Sequence, residues 1–269
     1  MNNAHSPIGI YDSGIGGLTV AHAITQLLPN EDIIYFGDTA HLPYGDKSEA
    51  AIQAYSIKIA DVLLKKGCKV IVIACNSASS AAYELLKEYV RKDALIINVI
   101  DPMITYVTHH FAKKKIGLIG TKRTVMSGVY SQRLSEMTNS IQLKSLATPL
   151  LAPMIEEGFF NNRISHEIIA KYLSEGELKD IEALILACTH YPLIKKEINQ
   201  FYKHQVNILD SSEVVALALK DRLEENNLIN PESNSTKHFF VSDFTPSFEA
   251  STRLFFGEVV HLEQHRLWN

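Results

Sequence analysis

The amino-acid sequence predicts an α/β protein with two similar Rossmann-like domains, each built on a mainly parallel sheet. Two observations lead to this prediction. Short unbroken runs of branched apolar residues alternate along the chain with segments of helical periodicity, a pattern typical of strands that helices cover on both faces. One strand-and-turn pattern also occurs twice, which indicates two similar lobes.

The apolar runs and the periodic segments between them give the predicted elements in order. Strands are predicted at residues 8–11, 33–36, 70–74, 95–100, 116–119, 183–187 and 206–209. Helices are predicted at 48–66 and 211–226, which together with the strands indicates βαβ units. The segment NNLINPESNST (226–236), rich in Asn and Ser, is predicted to be a loop and the last helix-to-strand passage.

The internal repeat pairs VIVIACN (70–76) with ALILACT (183–189). Each copy reads as a buried strand that ends in Ala-Cys and a small polar residue and runs straight into a helix. Upstream of each lies another strand that ends in a polar turn, at Asp12 and at Thr121, and the two intervals are nearly equal. Because ligands of such sheets bind beyond the carboxyl ends of the strands, these residues are candidates for a site.

Composition and charge limit the kinds of partner. The chain has 269 residues, of which 46% are hydrophobic and 21% charged, with a net charge of −4. A folded globular protein follows from these values. The charges are mixed in sign, so no basic stripe predicts nucleic-acid binding. No apolar run is long enough to predict a membrane span, and no secretion signal is seen, which predicts a cytoplasmic protein that acts on a small molecule.

The chain has three cysteines. An odd number of cysteines in a reducing compartment does not predict a disulfide framework. Cys68, at the foot of a strand, is interpreted as structural. Cys75 and Cys188 each end a matched strand, where a following helix N-terminus would stabilise a thiolate, so they are interpreted as chemical. A redox couple, or a zinc site completed by His190 and Asp12, is the alternative, although neither Cys-x-x-Cys nor compact ligand spacing is present.

Two further features lie beside these thiols. His190 follows Cys188 by two positions and could act as its proton partner. The turn from Asp12 to Gly17 could present backbone N–H groups to an anion, but it matches neither a dinucleotide fingerprint nor a P-loop. The segments 37–39 and 41–45 bring hydroxyl groups and exposed backbone to the same strand ends, although ordinary turn chemistry also explains them.

Five motifs together resemble the bacterial glutamate racemases, within the cofactor-independent aspartate/glutamate racemases. They are DSGIGGLTV (12–20), GDTAHLPYG (37–45), ACNSAS (74–79), GT (120–121) and ACTHYPL (187–193). The motifs occur in order over about residues 8–215, and nothing specific matches in 261–269. The resemblance implies two α/β domains with the active site between them. The first comprises residues 1–100 and 211–269, with the C-terminal segment returning to it, and the second comprises 101–210.

The resemblance also implies an activity and its residues. The activity is interconversion of L- and D-glutamate without pyridoxal phosphate or metal. It would supply D-glutamate for peptidoglycan, and so for cell-wall biogenesis and cell shape. The expected partner is glutamate as a small-molecule substrate, and the chain could form a homodimer. An aspartate racemase is the alternative within the class. Implied catalytic residues are Cys75 and Cys188, assisted by Asp12 and His190, with Glu156 or its neighbour Glu157 as a further carboxylate. Implied substrate-binding residues are Asp12, Ser13, Tyr44, Gly45, Asn76, Ser77, Thr121, Thr124, Thr189 and His190.

Two thiols suit this chemistry. Inversion through a planar carbanion needs a base on one face of the α-carbon and a proton donor on the other, which one cysteine from each lobe could supply. An unperturbed thiol has a pKa of about 8.5, so both of its protonation states can be reached near neutral pH. Without pyridoxal, the substrate carboxylate and the carbanion would need N–H and hydroxyl donors, which predicts a closed pocket lined by neutral groups.

Overall fold

A computed structural model describes residues 3–138, 140–232 and 234–268, whose strands form two parallel sheets. The strands are β1 (Ile8–Asp12), β2 (Ile33–Gly37), β3 (Val70–Ile73), β4 (Leu95–Asn98), β5 (Lys115–Gly120), β6 (Gln142–Ala147), β7 (Ala183–Ala187), β8 (Asn207–Asp210), β9 (Lys237–Val241) and β10 (Leu262–Gln264). The first sheet has six strands in the order β10-β9-β2-β1-β3-β4, and the second has four in the order β6-β5-β7-β8. The predicted fold class is confirmed.

Helices connect the strands and cover the sheets. They are α1 (Leu18–Leu27), α2 (Glu49–Lys65), α3 (Asn76–Val90), α4 (Ile100–His110), α5 (Lys122–Met126), α6 (Val129–Met137), α7 (Leu151–Glu156), α8 (Arg163–Leu173), α9 (Lys195–Phe201), α10 (Ser211–Glu225) and α11 (Pro246–Phe256). Short 3₁₀ turns lie at Tyr44–Asp46, Gly176–Leu178 and Tyr191–Ile194. Among the described residues, the helices lack the length and apolar character that crossing a membrane requires.

The buried strands explain the unbroken apolar runs. Ile8 and Ile10 of β1 belong to one core cluster, whereas Tyr11 belongs to a second cluster with Ile71 and Ile73 of β3. Successive side chains of a strand point to opposite faces, so a strand covered on both faces must be apolar at every position.

Strand register places the two halves of the repeat in equivalent positions. In the first sheet, β1 lies beside β3, with Tyr11 opposite Ile73. In the second, β5 lies beside β7, with Gly120 opposite Ala187. In both sheets, the residues that follow these strands therefore lie at the carboxyl ends of adjacent strands.

The C-terminal part of the chain contributes to the first sheet. The strands of the first sheet come from residues 8–98 and 237–264, while those of the second sheet come from 115–210. Residues 226–236 do connect a helix to a strand, but α11 and β10 follow, so the prediction that this is the last such passage is wrong. The domain boundaries stay a prediction.

A buried ion pair holds this returning segment at the amino ends of the strands. Lys69, fully buried, lies 2.5 Å from Glu31 Oε2 and also donates to the carbonyl of Leu228 at 2.8 Å. The other oxygen of Glu31 accepts the backbone N–H of Asn230 at 2.8 Å. Because buried charges must be compensated, each partner depends on the other.

Replacing one partner of this pair should therefore destabilise the protein. We expect Lys69→Met to lower the free energy of unfolding by about 3–5 kcal/mol, since it leaves the Glu31 carboxylate buried without a cation. Urea unfolding provides the measurement, and adding Glu31→Gln to the same chain should recover much of the loss. Lys65→Met, which removes an exposed pair with Asp61, is the control and should change stability little. Equal effects of the two single variants would contradict the assignment.

Candidate active site

A narrow cavity lies where the carboxyl ends of the two sheets meet. Its volume is about 30 Å³. Residues from both sheets line it: Ser13, Pro43, Tyr44, Gly45, Cys75, Asn76, Ser77, Thr121, Ala152, Glu156, Ala187, Cys188, Thr189 and His190. Two larger apolar grooves of about 500 and 550 Å³ occur elsewhere on the described chain, and neither is lined by a cysteine.

Cys75 lies at the N-cap of α3, so its sulfur faces the first N–H groups of that helix. Its Sγ accepts the N–H of Ala78 at 3.4 Å, and the thiol donates to Ser13 Oγ at 3.6 Å. Burial, and next the nearby Asp12 carboxylate, raise the pKa of Cys75 to about 12. The thiol is therefore protonated at neutral pH, despite the helix N-terminus that favours the thiolate.

Asp12 lies behind this thiol and not in the cavity wall. It is fully buried, and its Oδ2 accepts the N–H of Gly14 at 3.0 Å. Oδ1 has no partner among the described residues. Burial raises the pKa of Asp12 above its ordinary value, although the charge of His190 and backbone N–H groups oppose the shift. A buried carboxylate of this kind can take up a proton near Cys75.

Cys188 and His190 form the second half of the site. His190 Nδ1 lies 3.7 Å from Cys188 Sγ, and Nε2 lies 2.9 Å from Glu156 Oε1 without the alignment of a hydrogen bond. Burial lowers the pKa of His190, but Cys188 and Glu156 outweigh it and raise the pKa well above its ordinary value. The ring is thus a buried cation beside the sulfur.

The helix predicted directly behind Cys188 is absent there. The strand leads instead into the 3₁₀ turn Tyr191–Ile194, and α9 begins only at Lys195. The N–H of Tyr191 donates to the carbonyl of Cys188 at 3.1 Å, and this hydrogen bond closes a turn. The prediction of a helix N-terminus behind each thiol is right for Cys75 and wrong for Cys188, where His190 supplies the positive charge.

Two glycines lie where the two lobes approach each other closely. A Cβ on Gly16 would lie 2.5 Å from His190 Cε1, so only glycine lets α1 approach this ring. A Cβ on Gly45 would lie 3.0 Å from Thr121 Cβ, across the cavity from the first sheet. The hydroxyl of Thr19 also donates to the carbonyl of Thr189 at 3.0 Å, which joins the same surfaces.

Polar groups converge on the wall between the thiols. Ser77 Oγ and Thr121 Oγ1 are 2.9 Å apart and join the two lobes. Thr124 does not line the cavity; its hydroxyl oxygen instead accepts from the Thr121 hydroxyl at 3.1 Å. Burial raises the pKa of Tyr130, so its hydroxyl is a donor, and it donates to Asn76 Oδ1 at 2.8 Å.

This bond from Tyr130 fixes the orientation of the Asn76 amide. With Oδ1 accepting, the buried Nδ2 remains as a donor and has no partner among the described residues. Because unsatisfied buried donors are costly, Nδ2 suits an anionic group of a ligand. Sequence reasoning missed Tyr130, which is 54 positions from Asn76 and lies in no motif.

The structure thus brings most of the residues suggested by sequence to one cavity. Asp12 and Thr124 are exceptions, since they support lining residues from behind. Glu156 faces the cavity and His190, whereas Glu157 is exposed. The Tyr44 hydroxyl donates to Asp38 at 2.6 Å, so it is already engaged within the protein. Zinc ligation lacks support from geometry, since no group of three or more His, Cys, Asp or Glu side chains among the described residues is arranged to hold a metal ion.

Comparisons with known proteins show what the chain as a whole is similar to. The Asp/Glu/Hydantoin racemase family matches residues 17–219. A glutamate racemase from Chlorobaculum parvum is 40% identical over 253 residues, covering 94% of this chain and 93% of the relative. The crystal structure of glutamate racemase from Francisella tularensis in complex with D-glutamate has a TM-score of 0.92 and 37% identity, covering 98% of each chain. The crystal structure of glutamate racemase isoform RacE1 from Bacillus anthracis has a TM-score of 0.93 and 32% identity, also covering 98% of each chain.

The contact between Glu156 and His190 makes a prediction about charge. Since Glu156 contributes to raising the pKa of His190, we expect Glu156→Gln to lower that pKa. An NMR titration of the imidazole nitrogens measures the change. Glu157→Gln is the matched control and should leave the titration as in the unmodified protein. Identical midpoints in the two variants would show that Glu156 does not act on this ring.

Proposed function

The chain belongs to the Asp/Glu/hydantoin racemase family, and we propose that it interconverts L-glutamate and D-glutamate. The observation that carries the proposal is a single cavity lined by one thiol from each sheet, Cys75 and Cys188. The relatives described above are named glutamate racemases, and one was solved with D-glutamate. These similarities favour glutamate as the substrate.

The proposed reaction moves one proton off the α-carbon and another onto it. One sulfur, as thiolate, accepts the α-proton while the C–H electron pair stays on carbon as a carbanion. The other thiol then donates its proton to the opposite face, and the stereocentre is inverted. One thiol and one thiolate exist before and after the reaction, with their positions exchanged, so charge balances without pyridoxal phosphate or a metal.

The electrostatics of the site favour one direction of the reaction. Cys75, with a pKa of about 12, is ready to donate, and His190 provides a cation that attracts negative charge on the Cys188 sulfur. This distribution suits removal of the proton from L-glutamate by Cys188, as the resemblance to glutamate racemases implies. In the reverse direction, Asp12 would accept the proton that Cys75 must lose, and its raised pKa makes it a suitable acceptor.

Neutral donors would hold the substrate and its developing charge. Asn76 Nδ2 and the hydroxyls of Ser13, Thr121 and Thr189 surround the cavity and can bind carboxylate oxygens. Fixed donors in a site that excludes water stabilise a carbanion conjugated to a carboxylate more effectively than water does. The proposal extends to a cytoplasmic enzyme that supplies D-glutamate for peptidoglycan, with a second copy of the chain as its macromolecular partner.

A circular-dichroism assay with L-glutamate and no added cofactor tests this function. After chelator treatment the protein should drive the glutamate signal to zero as the racemate forms, because the thiols supply both proton transfers. L-aspartate is assayed in parallel and should turn over much more slowly. Faster turnover of aspartate would assign another substrate, and activity that depends on added zinc or pyridoxal phosphate would contradict the mechanism.

The three cysteines provide the matched variants for this assay. We expect Cys75→Ala and Cys188→Ala each to lower kcat by at least about 10²–10⁴-fold, the contribution of one positioned acid or base. Cys68 is buried at the amino end of β3, far along the strand from the cavity, so Cys68→Ala should keep near-normal activity. Thermal unfolding checks that each variant is folded, and equal losses in all three folded variants would contradict the assignment.

A further inference from the structure

The segment Pro43–Gly45 forms one wall of the cavity and also contacts the second lobe. Gly45 lies against Thr121, and Arg123 of α5 donates to the carbonyl of Lys47 at 3.1 Å. The segment has only a 3₁₀ turn of its own. Its position must therefore be fixed by side chains around it.

The fixing group is the carboxylate of Asp38, which follows β2 and is fully buried. Tyr44 donates to Oδ2 at 2.6 Å, and His41 Nδ1 lies 3.0 Å from the same oxygen. Oδ1 accepts from Trp268 Nε1 at 2.7 Å and from Ser242 Oγ at 2.8 Å. Burial, and next Asp38, raise the pKa of Tyr44 well above its ordinary value, so its hydroxyl remains a donor.

Aromatic packing holds Trp268 at this carboxylate. His41 stacks on Tyr55 with ring centroids 4.0 Å apart, and Trp268 meets both rings edge-on at 4.5 and 5.2 Å. Lys58 Nζ lies 4.6 Å above the Trp268 ring. The indole thus reaches Asp38 from residues near the C-terminus, 230 positions away along the chain.

We propose that Trp268 is a positioning residue for substrate binding, which acts by donating to Asp38 and so holding the Pro43–Gly45 wall against the second lobe. The proposal rests on the proposed racemase function. A buried carboxylate that loses one of its charge-assisted donors must recruit another or shift, and Tyr44 is bonded to the same group. Both thiols lie on other elements, so the wall should affect binding more than proton transfer.

Kinetics of two variants separate this role from general packing. Trp268→Phe keeps an aromatic ring but removes the N–H, and we expect it to raise KM for D-glutamate about tenfold, equal to about 1.4 kcal/mol, with kcat changed less than about twofold. His265→Ala is the control in the same segment, since its ring packs on Phe36 and Phe240 and makes no hydrogen bond or ion pair with Asp38 among the described residues. It should retain the KM of the unmodified enzyme.

Fluorescence provides a second readout that does not depend on turnover. The chain has a single tryptophan, so its emission reports on this site alone. If the Asp38–Trp268 bond favours the substrate-binding arrangement, substrate must favour the bond by the same factor. Acrylamide quenching of Trp268 should therefore decrease as D-glutamate is added, with saturation at the dissociation constant.

The outcomes distinguish this proposal from the function on which it rests. If the unmodified protein does not racemise glutamate, the proposed function fails. If it does, but Trp268→Phe leaves KM unchanged, or both variants raise KM equally, or quenching does not respond to saturating D-glutamate, the positioning role of Trp268 is wrong. A rise in KM for Trp268→Phe alone, together with substrate-dependent quenching, supports it.

Discussion

The carboxyl ends of two parallel sheets meet at one cavity, and the rest of the site depends on this contact. Cys75 and Cys188 leave equivalent strands, β3 and β7, and so enter the cavity from opposite lobes. The contact is close, since a Cβ on Gly16 would overlap the His190 ring and a Cβ on Gly45 would lie tightly against Thr121. A duplicated fold thereby supplies two similar groups around one ligand.

The two thiols are alike in position but not in environment. Cys75 is protonated and lies between a helix N-terminus and the buried carboxylate of Asp12. Cys188 lies beside the His190 cation, which Glu156 supports. For the proposed racemase, this asymmetry means that the protein holds one thiol ready to donate and places positive charge at the other. Each direction of the reaction then draws on a different set of assisting groups.

The sequence predicted the strands because burial on both faces imposes apolar residues at every position, as in VIVI of β3. It predicted the site because polar residues at the carboxyl ends of such strands must converge. It did not predict the 3₁₀ turn after Cys188, where a backbone bond to that residue competes with helix formation. Tyr130 and Trp268 were missed since their bonds to Asn76 and Asp38 join distant segments.

Isotope labelling tests most directly the claim that two thiols act on opposite faces of one carbon. L-glutamate is incubated in deuterated water, and at early conversion the enantiomers are separated and their α-deuterium is measured. If Cys188 removes the proton and Cys75 returns one equilibrated with solvent, the D-glutamate formed is deuterated while recovered L-glutamate stays almost unlabelled. Equal early labelling of both enantiomers would indicate a single base or a long-lived intermediate that exchanges with solvent, and it would contradict the two-thiol account.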